Sequence, residues 1–189
     1  MRLLVVVDMQ NDFIDGALGS EAAKAIVPNV VKKITDAKND TLIIFTKDTH
    51  FEDYDHTLEG KLLPVKHCIF DCDGWCINKA VRVAWLDKED TITIMEPEFR
   101  ENNTIIKTTF GSLNLMNFLL RDGKVFDEIE FIGLLTDICV VSNVLMTRAA
   151  LPDVKIIVDA SCCAGSTPEK HKSALEIMKS CQIEIISEV

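Results

Sequence analysis

The sequence has little positive charge. It holds 20 Lys and Arg residues against 30 Asp and Glu residues, which gives a formal net charge of −10 at pH 7. No segment gathers its Lys and Arg residues into a basic run. Binding to nucleic-acid phosphates or to an anionic membrane surface needs a basic patch. The composition therefore argues against both kinds of partner.

A long apolar run is also lacking. The N-terminal segment MRLLVVVDMQNDF (1–13) has a short apolar run that ends at Asp8. Because a signal peptide needs an apolar core of about 7–15 residues and a membrane helix about 20, we expect neither here. Repeats, low-complexity tracts and linkers are lacking as well. The 189 residues suit one domain with a full hydrophobic core.

Disulfides are not expected. The chain has 7 cysteines, an odd number, and it is too long to depend on disulfides for a stable core. Reduced thiols in the cytoplasm are the interpretation that this cysteine content favours.

Short β-branched segments alternate with longer segments of helical period. Continuous apolar strands that alternate with helices are typical of a mostly parallel sheet covered on both faces, a doubly wound α/β fold. A polar, His-rich stretch over 49–74 has no clear period and reads as a long loop. We predict strands at 3–8, 41–48, 91–95, within 103–112, at 128–135, 154–159 and 183–187, and helices at 21–38, 75–86, 113–121, 139–151 and 168–180.

Reactive side chains collect at the carboxyl ends of the predicted strands. In a parallel sheet these ends share one edge, where ligands bind. One strand ends in Asp8, another in Asp48, a third near Lys107, and the strand at 128–135 leads into Cys139. A cysteine, a carboxylate and a lysine can carry out acyl transfer without histidine, because the carboxylate accepts the thiol proton and the ammonium stabilises the thiolate.

Cys139 also lies at a predicted helix start. Thr136 or Asp137 can cap that helix, whose partial positive charge lowers the pKa of a thiol and whose free N–H groups can hold an oxyanion. Taken singly, Asp8, Lys107 and Cys139 each have an ordinary structural interpretation as a loop cap, a solvated strand end and an inert buried thiol. Because all three residues are predicted at the same edge of the sheet, a catalytic site is the favoured interpretation.

Three segments resemble the isochorismatase-like cysteine hydrolases, the superfamily that includes nicotinamidases. They are VVVDMQNDF (5–13), IKTTFGS (106–112) and GLLTDICVVSNV (133–144), which match in order and spacing along essentially the whole chain. The resemblance implies one domain over 1–189, with a three-layer α/β/α fold around a six-stranded, mostly parallel sheet.

The same resemblance implies a catalytic triad. Asp8 would be the base, Lys107 the electrostatic partner, and Cys139 the nucleophile that forms a thioester acyl-enzyme, which water then cleaves. It also implies a cis peptide bond between Leu134 and Leu135, and an oxyanion hole formed by the backbone N–H groups of Leu135 and Cys139.

The loop over 49–74 suggests a metal site. Asp48 and His50 would point to the same side of an extended segment, and the loop can bring His67 back beside them. This donor set suits Zn²⁺, Fe²⁺ or Mn²⁺, whereas spacing alone equally allows a solvated loop with incidental histidines.

Resemblance to the nicotinamidase metal loop implies that Asp48, His50 and His67 are ligands of a divalent ion, with zinc the first choice. The fourth ligand would be Glu59 or His56, and we favour Glu59. Such a metal would orient a pyridine-type ring nitrogen beside the nucleophile rather than generate hydroxide.

The substrate pocket departs from the family pattern. Nicotinamidases usually carry a W-P-x-H-C segment whose Trp stacks on the ring, and here it reads LPVKHC with Leu63 before the proline. The Gly-Thr-x-Gly that commonly follows is FDCDG here. Phe13 matches the aromatic residue expected on the other side of the pocket, and Leu134 is expected to complete it.

These observations predict a cytoplasmic cysteine amidohydrolase that hydrolyses a small carboxamide to an acid and ammonia. Its partner would be that small amide, and the fold family suggests a homo-oligomer. One alternative is a ureido or carbamoyl amidohydrolase on the same scaffold. Another is a catalytically silent binding module, against which the intact set of Asp8, Lys107 and Cys139 argues.

Overall fold

The computed structural model describes residues 1–88 and 103–188. Within these ranges, six strands form one sheet in which every neighbouring pair is parallel. The strands are β1 (Arg2–Val7), β2 (Thr41–Asp48), β3 (Thr104–Lys107), β4 (Glu128–Leu134), β5 (Lys155–Ala164) and β6 (Glu184–Ile186). Their spatial order is β3-β2-β1-β4-β5-β6. The predicted six-stranded parallel sheet is confirmed.

Helices cover both faces of the sheet. They are α1 (Asn11–Ile14), α2 (Glu21–Asp36), α3 (Leu58–Leu62), α4 (Lys79–Leu86), α5 (Leu113–Asp122), α6 (Val141–Ala150) and α7 (Pro168–Ser180). Because successive residues of β1 point to opposite sides of the sheet, Val5 packs in a core with residues of α5, α6 and α7, and Val6 in a second core with residues of α2 and α4. This is the predicted three-layer α/β/α arrangement.

Side-chain caps define where most helices begin. Ser20, Asn78, Ser112 and Thr167 each accept a hydrogen bond from a backbone N–H in the first turn of the helix that follows. Such caps satisfy N–H groups that would otherwise lack a partner. The cap at Asn78 explains why α4 begins later than the predicted helix at 75–86.

Two other segments differ from the prediction. The stretch over 49–74 is not wholly irregular, since it contains α3 and the 3₁₀ turns Tyr54–His56 and Asp73–Trp75. β5 runs on to Ala164 beyond the predicted end at 159, because Cys162 and Cys163 are buried within the sheet. The strand predicted at 91–95 lies outside the described residues.

The strand order reverses between β1 and β4, which opens a crevice at the carboxyl ends of these two strands. Gly133 allows the two strands to approach each other there. Its φ is +118°, and a Cβ at this position would lie 2.1 Å from the Val7 carbonyl oxygen. Only glycine satisfies both conditions. In the described part of the chain, no helix is both long and apolar enough to cross a membrane.

Candidate active site

Asp8, Lys107 and Cys139 meet at this crevice. Lys107 Nζ lies 2.7 Å from Asp8 Oδ2 and 3.4 Å from Cys139 Sγ. All three residues are buried. Asp8 follows β1 and Lys107 ends β3, so the long lysine side chain passes over the end of β2 to reach them. The structure brings together the three side chains that the strand ends predicted.

The two carboxylate oxygens of Asp8 have different environments. Thr46 Oγ1 donates a hydrogen bond of 2.7 Å to Oδ1. Oδ2 faces the Lys107 ammonium but accepts no well-aligned hydrogen bond from the described residues. Burial raises the pKa of Asp8 above its usual value, although the charge of Lys107 opposes this rise. A buried carboxylate with raised proton affinity and a free lone pair is suited to accept a proton.

Cys139 lies in a π-helical turn, Thr136–Val140, between β4 and α6. The sequence suggested that a helix start would lower the pKa of this thiol, and that expectation is wrong. Burial raises the pKa of Cys139 well above its usual value, and the charges of Asp8 and Asp48 add to this effect, while Lys107 opposes it. The thiol is therefore protonated near neutral pH and needs a base to become a nucleophile.

Thr136 and Asp137 do not cap this turn, contrary to the prediction. Thr136 Oγ1 is hydrogen-bonded to His171 Nδ1 at 2.7 Å, and the Asp137 carboxylate accepts bonds from Ser166 N–H and Oγ at 2.7 and 2.6 Å. Both side chains point toward the start of α7 rather than toward their own turn. The peptide bond before Leu135 is cis, as the resemblance implied.

Asp48, His50, Glu59 and His67 form a group of possible metal ligands. Their donor atoms all lie within 4.8 Å of one another. Nε2 of His50 is 3.0 Å from Asp48 Oδ2 and 3.6 Å from Glu59 Oε1, and Nε2 of His67 is 3.6 Å from each of the same oxygens. In a tetrahedral zinc site, ligand atoms lie roughly 3.4 Å apart because each is about 2.0–2.2 Å from the metal. The spacing and chemistry of these donors fit a divalent ion.

Neighbouring groups orient two of these ligands. His67 Nδ1 lies 2.8 Å from the Val65 carbonyl oxygen, which leaves Nε2 directed toward the group. Gln10 holds the backbone of Asp48, accepting from its N–H at 2.7 Å and donating to its carbonyl at 2.9 Å. His56 is exposed and lies outside the group.

The pKa values of Asp48 and Glu59 are shifted in opposite directions. Burial alone would raise the pKa of Asp48, but the charge of Lys107 and hydrogen bonds from His50 and His67 hold it well below its usual range. Burial raises the pKa of Glu59, and the negative charge of Asp48 adds to that rise. Asp48 therefore stays ionised, and its two oxygens face the lysine and the histidines separately.

A cavity of about 340 Å³ lies beside Cys139 and the metal-ligand group. Phe13 and Leu63 line it as predicted, whereas Leu134 does not: as the last residue of β4, it points into the core, and Leu135 lines the cavity instead. The ring centroids of Phe13 and His67 are 5.5 Å apart. The apolar part of the lining consists of Phe13, Leu18, Leu63, Phe110, Leu135 and Ile138.

Several residues that support the site were missed by sequence reasoning. Gln10 and Phe110 lie within the segments that resemble the family, so those motifs contained a signal. Asn143 of α6 donates hydrogen bonds to the carbonyl oxygens of Phe110 and Cys139, at 3.1 and 2.8 Å. Thr46 and His171 had no comparable signal, since their roles depend on neighbours that are distant in sequence.

Comparisons with known proteins find relatives along nearly the whole chain. The isochorismatase domain family model matches residues 2–188. The nicotinamidase/pyrazinamidase of Mycobacterium tuberculosis is 26% identical over 202 residues, with 98% of each chain covered. A relative from Arabidopsis thaliana, named as a probable inactive nicotinamidase, is 30% identical over 189 residues and covers 93% of this chain and 87% of its own.

Solved structures share the fold. The nicotinamidase/pyrazinamidase of Bacillus subtilis superposes with a TM-score of 0.81 at 23% identity, over 98% of this chain and 99% of its own. The pyrazinamidase of Pyrococcus horikoshii, solved in complex with zinc, gives a TM-score of 0.73 at 24% identity over 99% of each chain.

Proposed function

The chain belongs to the isochorismatase family, in its nicotinamidase-like branch, and we propose that it is a cysteine-dependent amidohydrolase. It would cleave a small, nicotinamide-like carboxamide to the carboxylic acid and ammonia. The observation that carries the proposal is the contact of Lys107 Nζ with both Asp8 and Cys139, at the wall of a largely apolar cavity.

The first half-reaction forms a thioester. Asp8 Oδ2 takes the proton of the Cys139 thiol as Sγ attacks the amide carbonyl carbon, and the carbonyl oxygen becomes an oxyanion. Asp8 then returns that proton to the amide nitrogen, the C–N bond breaks, and ammonia leaves. The raised pKa of Asp8 suits both steps, because the same group must accept a proton and then donate it.

The second half-reaction consumes water. Asp8, ionised again, accepts a proton from a water molecule whose oxygen attacks the thioester carbon. Collapse of the tetrahedral intermediate breaks the C–S bond, releases the carboxylic acid and returns the proton to Cys139. Lys107 keeps its charge throughout, since its neighbouring carboxylates hold its pKa well above the usual value, although burial alone would lower it.

Backbone N–H groups at the cysteine turn would stabilise the oxyanion. Leu135 and Cys139 both line the cavity, and we propose their N–H groups as the donors. Donors that are fixed before the reaction stabilise developing charge without reorganisation, which is why such sites contribute strongly to catalysis.

A divalent metal would be held by Asp48, His50, Glu59 and His67. When bound, it would supply a Lewis acid that orients a ring nitrogen of the substrate. The protein's own contribution is the apolar cavity, where Phe13 and Phe110 would pack against the substrate ring. An uncharged amide with an aromatic or apolar acyl group fits this lining.

The decisive experiment measures ammonia release from nicotinamide and pyrazinamide by zinc-loaded protein, with Cys139→Ala as the comparison. We expect turnover by the wild type and loss of at least about 10³-fold in the variant, which lacks the nucleophile. Circular dichroism should show that the variant keeps its fold. No ammonia from either substrate would overturn the nicotinamidase-like proposal.

Two alternatives give different outcomes in the same experiment. Ammonia release from ureido or N-carbamoyl compounds, without release from nicotinamide, would favour another amidohydrolase of this family. Nicotinamide binding without turnover, equally tight in wild type and Cys139→Ala, would favour a silent binding module. The Arabidopsis relative, named as probably inactive, makes this second comparison necessary.

A further inference from the structure

The turn that carries Cys139 is attached at two points, once to α7 and once to the segment before it. The Asp137 carboxylate accepts bonds from Ser166 N–H and Oγ, at 2.7 and 2.6 Å. Thr136 Oγ1 and His171 Nδ1 are 2.7 Å apart. Asp137 and Thr136, which precede Cys139 by two and three residues, are therefore both held by hydrogen bonds from outside their own helical turn.

Close packing accompanies these hydrogen bonds. A Cβ at Gly165 would lie 2.8 Å from His171 Cβ and 2.9 Å from Asp137 Oδ1, so the backbone at Gly165 lies directly against both groups. Gly165 and Ser166 also line the cavity beside Cys139. The same short segment thus forms a wall of the cavity and contacts the turn of the nucleophile.

The bond between Thr136 and His171 is the more buried of the two attachments. Thr136 is fully buried, whereas Ser166 is exposed. Burial lowers the pKa of His171, although the charges of Asp137 and Glu188 oppose this, so the imidazole is neutral near pH 7. A neutral imidazole can either accept from or donate to a hydroxyl through Nδ1. Water competes less for a partly buried bond than for an exposed one, so this contact is the better shielded attachment of the turn.

We propose that His171 is a positioning residue for Cys139. Through Thr136, it holds the cysteine turn where Sγ lies beside Lys107 and Asp8. A displacement of about 1 Å at a reacting atom can cost on the order of 10²-fold in rate. The consequence for turnover rests on the proposed function, whereas the consequence for the reactivity of Cys139 does not.

The test compares variants that remove or keep this hydrogen bond. His171→Leu and Thr136→Val remove it with little change in volume, and His171→Asn keeps a polar atom near the position of Nδ1. Leu175→Ala is the matched control, because Leu175 lies one turn further along α7 and packs in the core.

One readout is the rate constant for alkylation of Cys139 by iodoacetamide, followed by mass spectrometry of its peptide. The other is kcat and KM for nicotinamide.

We expect His171→Leu and Thr136→Val each to lower both the alkylation rate and kcat by about 10-fold or more, with KM changed by less than about 3-fold. The double variant should be no worse than either single one, because both remove the same interaction. His171→Asn should recover most of both rates, and Leu175→Ala should lose stability without this loss of reactivity.

Unchanged or faster alkylation in Thr136→Val would overturn the proposal, and so would an equal loss of reactivity in Leu175→Ala. Thr136→Val replaces a single oxygen, so it decides the question even if His171→Leu does not fold. If the wild type releases no ammonia from nicotinamide, the proposed function fails, but the alkylation rates still decide the role of His171.

Discussion

Lys107 Nζ and Asp48 Oδ1 lie 3.1 Å apart, and this contact joins the two halves of the site. The same ammonium is 2.7 Å from Asp8 Oδ2, while the other oxygen of Asp48 is 3.0 Å from His50 Nε2. One buried cation therefore compensates two buried carboxylates, one from the proposed catalytic group and one from the metal-ligand group. The ionisation of Cys139 depends on both.

Opposite charges around Cys139 should move its pKa in opposite directions. Asp8→Asn removes a negative charge that raises the pKa of the thiol, so the pH midpoint of Cys139 alkylation should fall by about 1–3 units. Lys107→Met removes a positive charge that lowers it, so the midpoint should rise by a similar amount. Iodoacetamide rates measured from pH 6 to 11 would test this, and shifts of the same sign in both variants would contradict the charge arrangement.

Thr46 should stabilise the ionised form of Asp8. Thr46→Val removes the 2.7 Å hydrogen bond to Oδ1 and should lower the free energy of unfolding by about 1.5–3 kcal/mol. Because the bond stabilises the carboxylate, the loss should be full above the pKa of Asp8 and should shrink as the pH falls below it. Urea titrations at several pH values would measure it, with Thr46→Ser as the control that keeps the hydroxyl. A loss independent of pH would show that Thr46 acts through packing and the 3.3 Å bond that its Oγ1 accepts from the Asp8 N–H, and not through the carboxylate.

The meeting of Asp8, Lys107 and Cys139 could be predicted because it follows from topology. Each residue ends or follows a strand of apolar composition, and parallel strands bring their carboxyl ends to one edge. No side-chain detail was needed for that inference. The positions of Phe13 and Leu63 at the cavity were predicted from the family motif, which already contains the local backbone geometry.

The environment of the same residues could not be predicted, because it depends on tertiary contacts. Thr136 and Asp137 are typical capping residues, but their partners belong to α7 and the segment before it, about 30 residues further along the chain. Burial is the largest cause of the raised pKa of Cys139, and burial depends on the packing of the whole site. Leu134 and Leu135 are adjacent leucines, and only the packing of β4 decides which of them enters the core.

Glu59, and not His56, should be the fourth metal ligand. Both lie in the same loop, but α3 brings Glu59 Oε1 within 3.6 Å of His50 and His67, whereas His56 is exposed. Glu59→Gln should weaken zinc binding by at least about 10–100-fold, the loss typical of changing even an outer-shell partner of a ligand, and His56→Gln should leave it unchanged. Competition with a chromogenic chelator would measure both affinities, with zinc tested first because a structural neighbour was solved in complex with zinc. An equal loss in His56→Gln would contradict the assignment.

Leu63 should set the preference of the cavity for the shape of the acyl group. Leu63 is 38% exposed and lines the cavity together with the aromatic rings of Phe13 and Phe110. Leu63→Trp should add a further aromatic face, and an aromatic contact is worth about 0.5–1.5 kcal/mol, which corresponds to roughly 2–12-fold in affinity. We expect KM for nicotinamide to fall by that factor, while KM for an aliphatic amide such as isobutyramide stays the same or rises. Phe13→Leu is the matched control and should raise KM for nicotinamide. If Leu63→Trp lowered KM for both amides equally, the gain would come from general burial of apolar surface, and Leu63 would not determine specificity for ring shape.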